Sequence, residues 1–306
     1  MTTSIAWTDE SWNPIVGCSK ISAGCANCYA ASAAKSARLQ QFPQYQKVEK
    51  WDGTIEFVES QLLKPLSWRS PKKIFTCSMS DVFHENALDE WRDRAFAIMA
   101  LCPQHTFQIL TKRPDIMLKY ISGLTTNRLK RALPSNIEYS RLDSVKLPLQ
   151  NVWLGVSVEN QVVADERIPL LLETPAEIRF LSCEPLLEEV HLEEWLWQTV
   201  TICWGNGDDE WGYDGEPTDR LHWVICGGES GSKARQCNVD WIRSLVRQCQ
   251  DAEIPVFVKQ LGANVIGSSP YIADVADTHH QIKFRDRKAS DISEWPEDLR
   301  IQQFPN

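Results

Sequence analysis

The sequence contains no run of eighteen consecutive apolar residues, the length that an apolar helix needs to span a bilayer. Its first residues, Met1 to Ser4, also lack the basic and apolar pattern of a signal peptide. We therefore expect a cytoplasmic protein without a membrane-spanning segment. Hydrophobic residues make up 43% of the 306 positions, so the chain can bury a substantial core as one large domain or two ordinary ones.

Basic residues are fewer than acidic ones. The 32 lysines and arginines are outnumbered by 41 aspartates and glutamates, which gives a formal net charge of −9. This balance argues against a protein that coats nucleic acid through bulk electrostatics. It still allows a local basic cleft, because basic residues cluster at 112–113, 128–131 and 283–288. We interpret the last two clusters as solvated surface.

The sequence has no second Cys-x2-Cys or Cys-x2-His pair that could complete a four-ligand structural zinc site. Its ten cysteines, in a long chain without an export signal, predict metal binding or buried thiols instead of disulfides. Cys102 and Cys226 lie in apolar runs, so we expect them to pack as small hydrophobic side chains. Cys18, Cys25 and Cys28 are different, because they fall within eleven positions as Cys-x6-Cys-x2-Cys.

A single loop carries these three cysteines, directly before an alanine-rich helix predicted over 29–39. The N-terminus of that helix would stabilise thiolates. Zinc and an iron–sulfur cluster both accept such ligands, and three protein ligands leave one coordination position open for chemistry. A structural zinc site would need Cys77 or His84 as a further ligand. A purely structural role for the cysteines is the remaining alternative.

From residue 72 onward, short apolar segments alternate with helical ones. We predict strands over 73–78, 106–112, 152–158, 177–183, 222–226 and 255–259. We predict helices over 85–102, 113–122, 127–133, 164–173, 192–197 and 240–250. The alternation indicates a parallel sheet, forming a partial or full TIM-like (β/α) barrel over 1–262, with 263–306 as a C-terminal extension packed on it. An edge strand or hairpin arm is expected at 52–58, and the Gly/Asp-rich segment 203–219 is expected to be a surface loop.

Nearly every predicted strand ends in polar or charged residues, at the edge where such folds place their active sites. The candidates at this edge are Ser78, Ser80, Asp81, Lys112, Ser157, Glu159, Glu184 and Glu229. So many carboxylates and amines at strand ends favour a functional edge. Structural interpretations stay open: Asp81 and Asp115 could cap helices, Lys112 could lie at a solvated helix start, and Glu159 could be an ordinary loop carboxylate.

A three-cysteine loop that opens a run of β/α units resembles the radical SAM superfamily. The strand end Thr111-Lys112-Arg113-Pro114 is similar to an element of its spore-photoproduct-lyase-like branch. The lead-in 7–14, the cysteine loop and the segment 227–231 resemble a phage- and prophage-associated family of uncharacterised three-Cys-motif proteins, a match that covers most of the chain. The superfamily's usual first gap is three residues with an aromatic before the third cysteine, whereas here the gap is six and Asn27 precedes Cys28.

The radical SAM resemblance implies that Cys18, Cys25 and Cys28 hold a [4Fe–4S] cluster whose remaining iron binds S-adenosylmethionine. It implies that Lys112 lies near the methionyl carboxylate. With an external electron donor, reductive cleavage of S-adenosylmethionine would then allow hydrogen abstraction from a substrate. Analogy with the lyase branch and the phage setting of the second family imply a nucleobase, a nucleotide or a nucleic acid as that substrate.

The same resemblance assigns the other strand-end residues to the cofactor or the substrate. Ser78, Ser80 or Asp81 would accept hydrogen bonds from the cofactor's amine. Ser157 or Glu159 would bind its ribose or carboxylate. Glu184 and Glu229 would face the substrate as catalytic residues.

Two functions of other classes stay open. One is a non-catalytic zinc or iron–sulfur protein of a phage or defence system that acts with a partner protein. The other is a hydrolase in which Asp81, Glu184 and Glu229 surround a metal ion. The glycine-rich segment 227–231 lacks the Lys-Ser/Thr ending of a P-loop, although its backbone amides could accept a phosphate. We expect Trp91, Trp153 and Trp223 to pack in the core.

Overall fold

Parallel pairing of short apolar strands dominates the computed structural model, which describes residues 3, 5–134, 137–138, 140–196, 220–267 and 280–305. The strands are β1 (Glu10–Trp12), β2 (Ile15–Val16), β3 (Glu56–Phe57), β4 (Lys73–Thr76), β5 (Thr106–Thr111), β6 (Val152–Ser157), β7 (Ile178–Cys183), β8 (Trp223–Gly227), β9 (Cys237–Asn238), β10 (Val256–Gln260), β11 (Val265–Gly267) and β12 (His280–Ile282). The main sheet has seven strands in the order β1-β4-β5-β6-β7-β8-β10, and all of its neighbouring pairs are parallel. It curls into a half-barrel, so the predicted alternation and the parallel sheet are confirmed.

Helices connect the strands. They are α1 (Tyr29–Ala34), α2 (Pro43–Lys47), α3 (Glu59–Leu62), α4 (Asp89–Leu101), α5 (Pro114–Ser122), α6 (Thr126–Ala132), α7 (Gln161–Glu173), α8 (Glu193–Leu196) and α9 (Val239–Asp251). Two predicted helices were too long. The helix expected over 29–39 ends at Ala34, whose carbonyl accepts a hydrogen bond from Gln40 Nε2 at 2.7 Å. The helix expected from 85 begins at Asp89, because Arg92 binds the carbonyls of Val82 and His84 and so holds the preceding turn.

The two faces of the half-barrel bury different side chains, because successive residues of a strand point to opposite faces. On the convex face, residues such as Ile109, Leu154 and Val224 pack with the helices in the main hydrophobic core. On the concave face, the residues between them form an aromatic cluster. The buried members of that cluster are Trp7, Phe75, Phe180, Trp223, Ile225 and Phe257. Because these side chains fill the amino-terminal part of the concavity, the polar residues that follow them lie at its carboxyl-terminal end.

Smaller pieces complete the structure. The antiparallel pair β2·β3 confirms the strand expected near 52–58, and β11 lies between β9 and β12 in a second sheet. Near the end of the chain, Ile301 O accepts a hydrogen bond from Val258 N at 2.9 Å on β10. The predicted surface loop 203–219 lies outside the described residues. Among the described helices, none is long and apolar enough to cross a membrane.

Candidate functional site

The loop that carries the three cysteines follows β2 in the chain and begins beside the carboxyl end of β4. Gly17 N donates a hydrogen bond to Met79 O at 3.0 Å, and Ser80 Oγ donates to Gly17 O at 2.6 Å. Gly17 has a φ of +91°, and a Cβ at this position would lie 2.3 Å from Thr54 O. Only glycine fits this conformation and this contact without strain. The predicted cofactor ligand Ser80 is thus bound to the start of the cysteine loop.

Arg113 connects this start of the loop to β5. Its Nη2 donates to Ser19 Oγ at 2.8 Å, its Nη1 lies 3.1 Å from Asp81 Oδ2, and its Nε binds Glu85. Nη1 also lies 3.8 Å from the Cys18 sulfur. The guanidinium therefore holds the loop at Ser19 and brings a positive charge next to one of the three thiols.

Asp81 ties the ends of β4 and β5 together. Its carboxylate accepts hydrogen bonds from Thr111 Oγ1 at 2.7 Å, Lys112 N at 3.0 Å and Phe83 N at 2.9 Å. Asp81 is not a helix cap, since the residue before α4 is Leu88 and the residue before α5 is Arg113, neither with a side-chain cap. Asp115 does not cap α5 either, because it lies inside its first turn.

His84 is buried beneath the loop, and both of its ring nitrogens are in use. Asn86 N donates to Nδ1 at 3.1 Å, which leaves the proton on Nε2 for the 3.0 Å hydrogen bond with Ser19 Oγ. Burial lowers the pKa of His84, and Arg113 lowers it further. The neutral ring therefore supports Ser19 and has no free nitrogen for the zinc site considered from the sequence.

Glu159, which follows β6, holds the middle of the loop. Its fully buried carboxylate accepts a hydrogen bond from Gly24 N at 3.0 Å and lies 3.3 Å from Arg167 Nη1. A Cβ on Gly24 would lie 3.0 Å from this carboxylate, so glycine permits the close approach. Burial alone would raise the pKa of Glu159, but Lys112 and hydrogen bonds from Ser22 and Gly24 lower it overall.

Lys112 presents a half-buried ammonium group beside the middle of the loop. In the part of the chain that the structure describes, this ammonium has no hydrogen bond and no ion pair within 4.0 Å. Burial raises the pKa of Cys25, yet Lys112 and backbone hydrogen bonds outweigh it and the pKa is lowered. The site therefore combines a polarised thiol with an unpaired positive charge.

Glu229, which follows β8, holds the last part of the loop. Its carboxylate accepts from Asn27 Nδ2 at 3.0 Å, from Arg235 N at 2.9 Å, and from Arg235 Nη2 at 2.8 Å. Arg235 Nη1 also donates to Ala23 O at 2.8 Å. Asn27, which departs from the superfamily pattern, thus connects the cysteine loop to the end of β8.

Glu184 and Lys259 form a separate ion pair on the concave face. Lys259 Nζ lies 3.1 Å from Glu184 Oε1 and 3.3 Å from Oε2, to which it donates. Among the described residues, Oε1 is buried and accepts no aligned hydrogen bond, although the lysine charge is close. Lys259 therefore holds the Glu184 carboxylate at the concave face.

The remaining predicted site residues lie at the same end of the sheet. Ser78 Oγ donates to Asn13 Oδ1 at 3.2 Å, and its carbonyl accepts from Tyr29 OH at 2.7 Å. Ser157 is buried at the end of β6, and its carbonyl accepts from Arg167. Asp81, Glu184 and Glu229 pair with three different cations, so the structure does not gather them around one point as the hydrolase interpretation requires.

The three loop cysteines are half-buried free thiols. Burial raises the pKa of Cys18 to about 12, and the Asp81 carboxylate adds to the rise. Among the described residues, no group of three His, Cys, Asp or Glu side chains is arranged to hold a metal ion. The number and kind of donors still fit an iron–sulfur cluster, which three thiolates of one loop can bind. Cys102 and Cys226 are buried thiols, as predicted.

Comparison with known proteins gives a family. Residues 2–291 match the family described as "Protein of unknown function (DUF5131)". The chain belongs to the DUF5131 family. No curated protein and no solved structure matches the sequence.

In this DUF5131 chain, the site residues predicted from the sequence leave out Arg113, Lys259, Arg235 and Arg167. Lys259 could have been found, because it ends a predicted strand in the same way as Lys112. Arg235 and Arg167 could not, since each acts through a carboxylate that only the fold brings near.

Proposed function

We propose that this chain is a radical-SAM-like iron–sulfur enzyme in which Cys18, Cys25 and Cys28 hold a [4Fe–4S] cluster. One observation carries the proposal: the three-thiol loop is attached across the carboxyl end of a curled parallel sheet, by residues that follow β4, β5, β6 and β8. Parallel β/α folds build their active sites at this end. When bound, the cluster would supply the electron for reductive cleavage of S-adenosylmethionine.

Lys112 would bind the carboxylate of S-adenosylmethionine. Among the described residues its ammonium has no hydrogen bond and no ion pair, whereas Arg113, Arg167 and Arg235 are each held by a carboxylate. A partly buried ammonium stabilises an incoming carboxylate more strongly than an exposed one does. Glu159 and Glu229 would keep the loop in place, which makes them positioning residues in this proposal.

The substrate would lie over the concave face, next to Glu184 and Lys259. The Glu184–Lys259 ion pair would orient a polar group of the substrate. Below it, the aromatic cluster of Trp7, Phe180 and Trp223 closes the amino-terminal end of the half-barrel and excludes water. In this proposal the substrate is a nucleobase, a nucleotide or a nucleic acid, and a hydrogen atom is abstracted from one of its carbon atoms.

Anaerobic reconstitution tests the cluster. The wild-type protein is expected to be brown and to bind about four irons per chain. Alanine at position 18, 25 or 28 should remove most of that iron, whereas Cys102→Ala, at a buried thiol away from the loop, should not. A colourless protein with one zinc ion, or cysteine variants with full iron content, would contradict the proposal.

A second measurement tests Lys112. Lys112→Met should keep the iron but weaken S-adenosylmethionine binding about 10- to 100-fold, the value of a hydrogen-bonded charge pair. Formation of 5′-deoxyadenosine under dithionite should fall in parallel. Lys119→Met, an exposed lysine on α5, is the matched control and should bind normally. If both variants bind S-adenosylmethionine with the same affinity, Lys112 does not bind its carboxylate.

A further inference from the structure

A cleft of about 900 Å³ opens on the outer side of the cysteine loop. Its walls come from the loop and α1, from the turn at 50–52, and from the segment 230–233 that follows β8. Its volume lies within the range of small-molecule sites. Cys28 and Tyr29 line it, so the cleft borders the candidate site.

Lysines dominate the charge of this cleft. Lys20, Lys35, Lys50 and Lys233 line it, and among the described residues Asp52 is its one acidic lining residue. The Asp52 carboxylate already accepts hydrogen bonds from Thr54 N at 3.2 Å and Thr54 Oγ1 at 2.7 Å.

The three outer lysines are unpaired. Lys35, Lys50 and Lys233 are exposed and have no carboxylate within 4.0 Å in the described part of the chain, while Lys20 Nζ is bound to Ala26 O. In a chain with a net charge of −9, three unpaired ammonium groups around one cleft mark a local site for an anion.

An aromatic ring and several hydroxyl groups stand beside these lysines. Tyr29 is 56% exposed, and its hydroxyl is fixed by a 2.7 Å hydrogen bond to Ser78 O. Ser230 and Ser232 flank Gly231, which has a φ of +101° and open space around it. A fixed, exposed ring suits base stacking, and lysines with hydroxyl groups suit phosphate.

We propose that this cleft binds a phosphate-bearing nucleotide, either free or within a single strand. Lys35, Lys50 and Lys233 bind the phosphates, and Tyr29 stacks on the base. In the proposed function, on which this assignment rests, the nucleotide is the part of the substrate that lies outside the concave face, and the cleft meets the cluster loop at Asn27 and Cys28.

The test uses the full chain and two probes, a fluorescein-labelled 12-nucleotide single-stranded DNA and ATP, in 50 mM NaCl. Changing Lys35, Lys50 and Lys233 together to Glu should weaken binding at least tenfold. The control changes Lys119, Lys283 and Lys288, which are exposed outside the cleft, to Glu with the same change in net charge. This control should alter binding less than threefold. Equal losses in the two triple variants, or no binding of either probe by the wild type, would overturn the proposal.

Further variants and conditions define the contacts. Tyr29→Ala should weaken binding about 5- to 150-fold, the range for one stacked base, whereas Tyr29→Phe should weaken it much less.

For the single strand, the slope of log K against log salt should fall by about 0.7 for each lysine removed. Full competition by ATP identifies a free nucleotide as the ligand, and tight strand binding that resists ATP identifies the strand. An unchanged salt slope in the cleft variant would contradict the lysine contacts.

Iron content separates this inference from the proposed function. Binding is measured before and after cluster reconstitution, and iron is measured in the triple cleft variant. If the wild-type protein has a normal iron content but binds neither probe, this inference alone is wrong. Normal binding by a protein that takes up no iron would overturn the cluster alone.

Discussion

The carboxylates at the carboxyl end of the sheet differ in whether the protein already uses them. Glu229 accepts hydrogen bonds from Asn27 and Arg235, and Glu159 accepts from Gly24. Glu184 retains a buried oxygen without an aligned donor among the described residues. Although all three follow strands of the sheet, Glu159 and Glu229 therefore anchor the loop, whereas Glu184 pairs with Lys259.

Glu229→Gln tests the anchoring role. Because Glu229 is nearly buried and binds a guanidinium, the change should lower the free energy of unfolding by about 1–3 kcal/mol in urea at pH 7. Amide hydrogen exchange should accelerate in the loop 23–27. Burial would raise the pKa of Glu229, but Arg235 and Asn27 lower it overall, so its contribution is complete above the unfolded pKa and is lost as the pH falls through the folded one.

Glu166→Gln, at an exposed position on α7, is the control and should change stability by less than about 0.5 kcal/mol. The difference between the two variants should shrink as the pH falls from 5 toward 3. If both variants exchange loop amides at the wild-type rate, Glu229 does not anchor the loop.

At this scale the sequence predicted which edge of the sheet carries the polar residues, because strand ends can be read from hydrophobic patterns. It did not predict the partners. Glu159 meets Gly24 across 135 positions, and Glu229 meets Asn27 across 202. Such contacts depend on the curl of the sheet and on the path of the loop over it, which no local pattern encodes.

Both faces of the main sheet are buried. A single glycine on β6 shows how tightly the concave face is packed. A Cβ on Gly155 would lie 2.6 Å from the ring of Phe180 on the neighbouring strand β7. Phe180 is fully buried, and its ring contacts both Trp7 and Trp223. The aromatic cluster therefore depends on the absence of a side chain at 155.

Gly155→Ala should lower the free energy of unfolding by about 1–3 kcal/mol, the typical cost of overpacking a core. Phe180→Leu in the same chain should restore part of this loss, because a smaller side chain leaves room for the new methyl group. Gly123→Ala is the control, since its Cβ would make only ordinary contacts of 3.4 Å or more. Additive effects of Gly155→Ala and Phe180→Leu would show that the two side chains do not compete for space.

Elements were predicted well where hydrophobic periodicity was strong and poorly where local hydrogen bonds decided the boundary. The strands β5, β6 and β7 lie within the predicted segments to one or two residues. The predicted end of α1 and the predicted start of α4 were wrong, because Gln40 and Arg92 bind backbone carbonyls there. Hydrophobic patterns do not show such side-chain bonds.

For the whole molecule, the open half-barrel raises the question of how its last strand is protected. An unpaired edge strand is a template for association with other chains. Residues near the end of the chain cover β10: Val258 N donates to Ile301 O at 2.9 Å, and Gln303 N donates to Val256 O at 3.0 Å. Phe304 packs on Trp223 and Phe257, with ring centroids 5.2 and 5.3 Å apart, and lies under the Lys73 ammonium.

These contacts join β10 to β4 across the amino-terminal end of the half-barrel. Among the described residues no eighth strand closes the half-barrel, and residues 301–304 close it instead. Deleting residues 301–306 should lower the free energy of unfolding by at least about 2 kcal/mol, from the lost hydrogen bonds and the lost ring packing. The exposed edge of β10 should also make the protein associate as its concentration rises, measured by light scattering. Deleting only 305–306 keeps Phe304 and the β10 contacts, so that variant should behave as the full chain does. If the longer deletion unfolds at the same urea concentration and stays monodisperse, the end of the chain does not close the half-barrel.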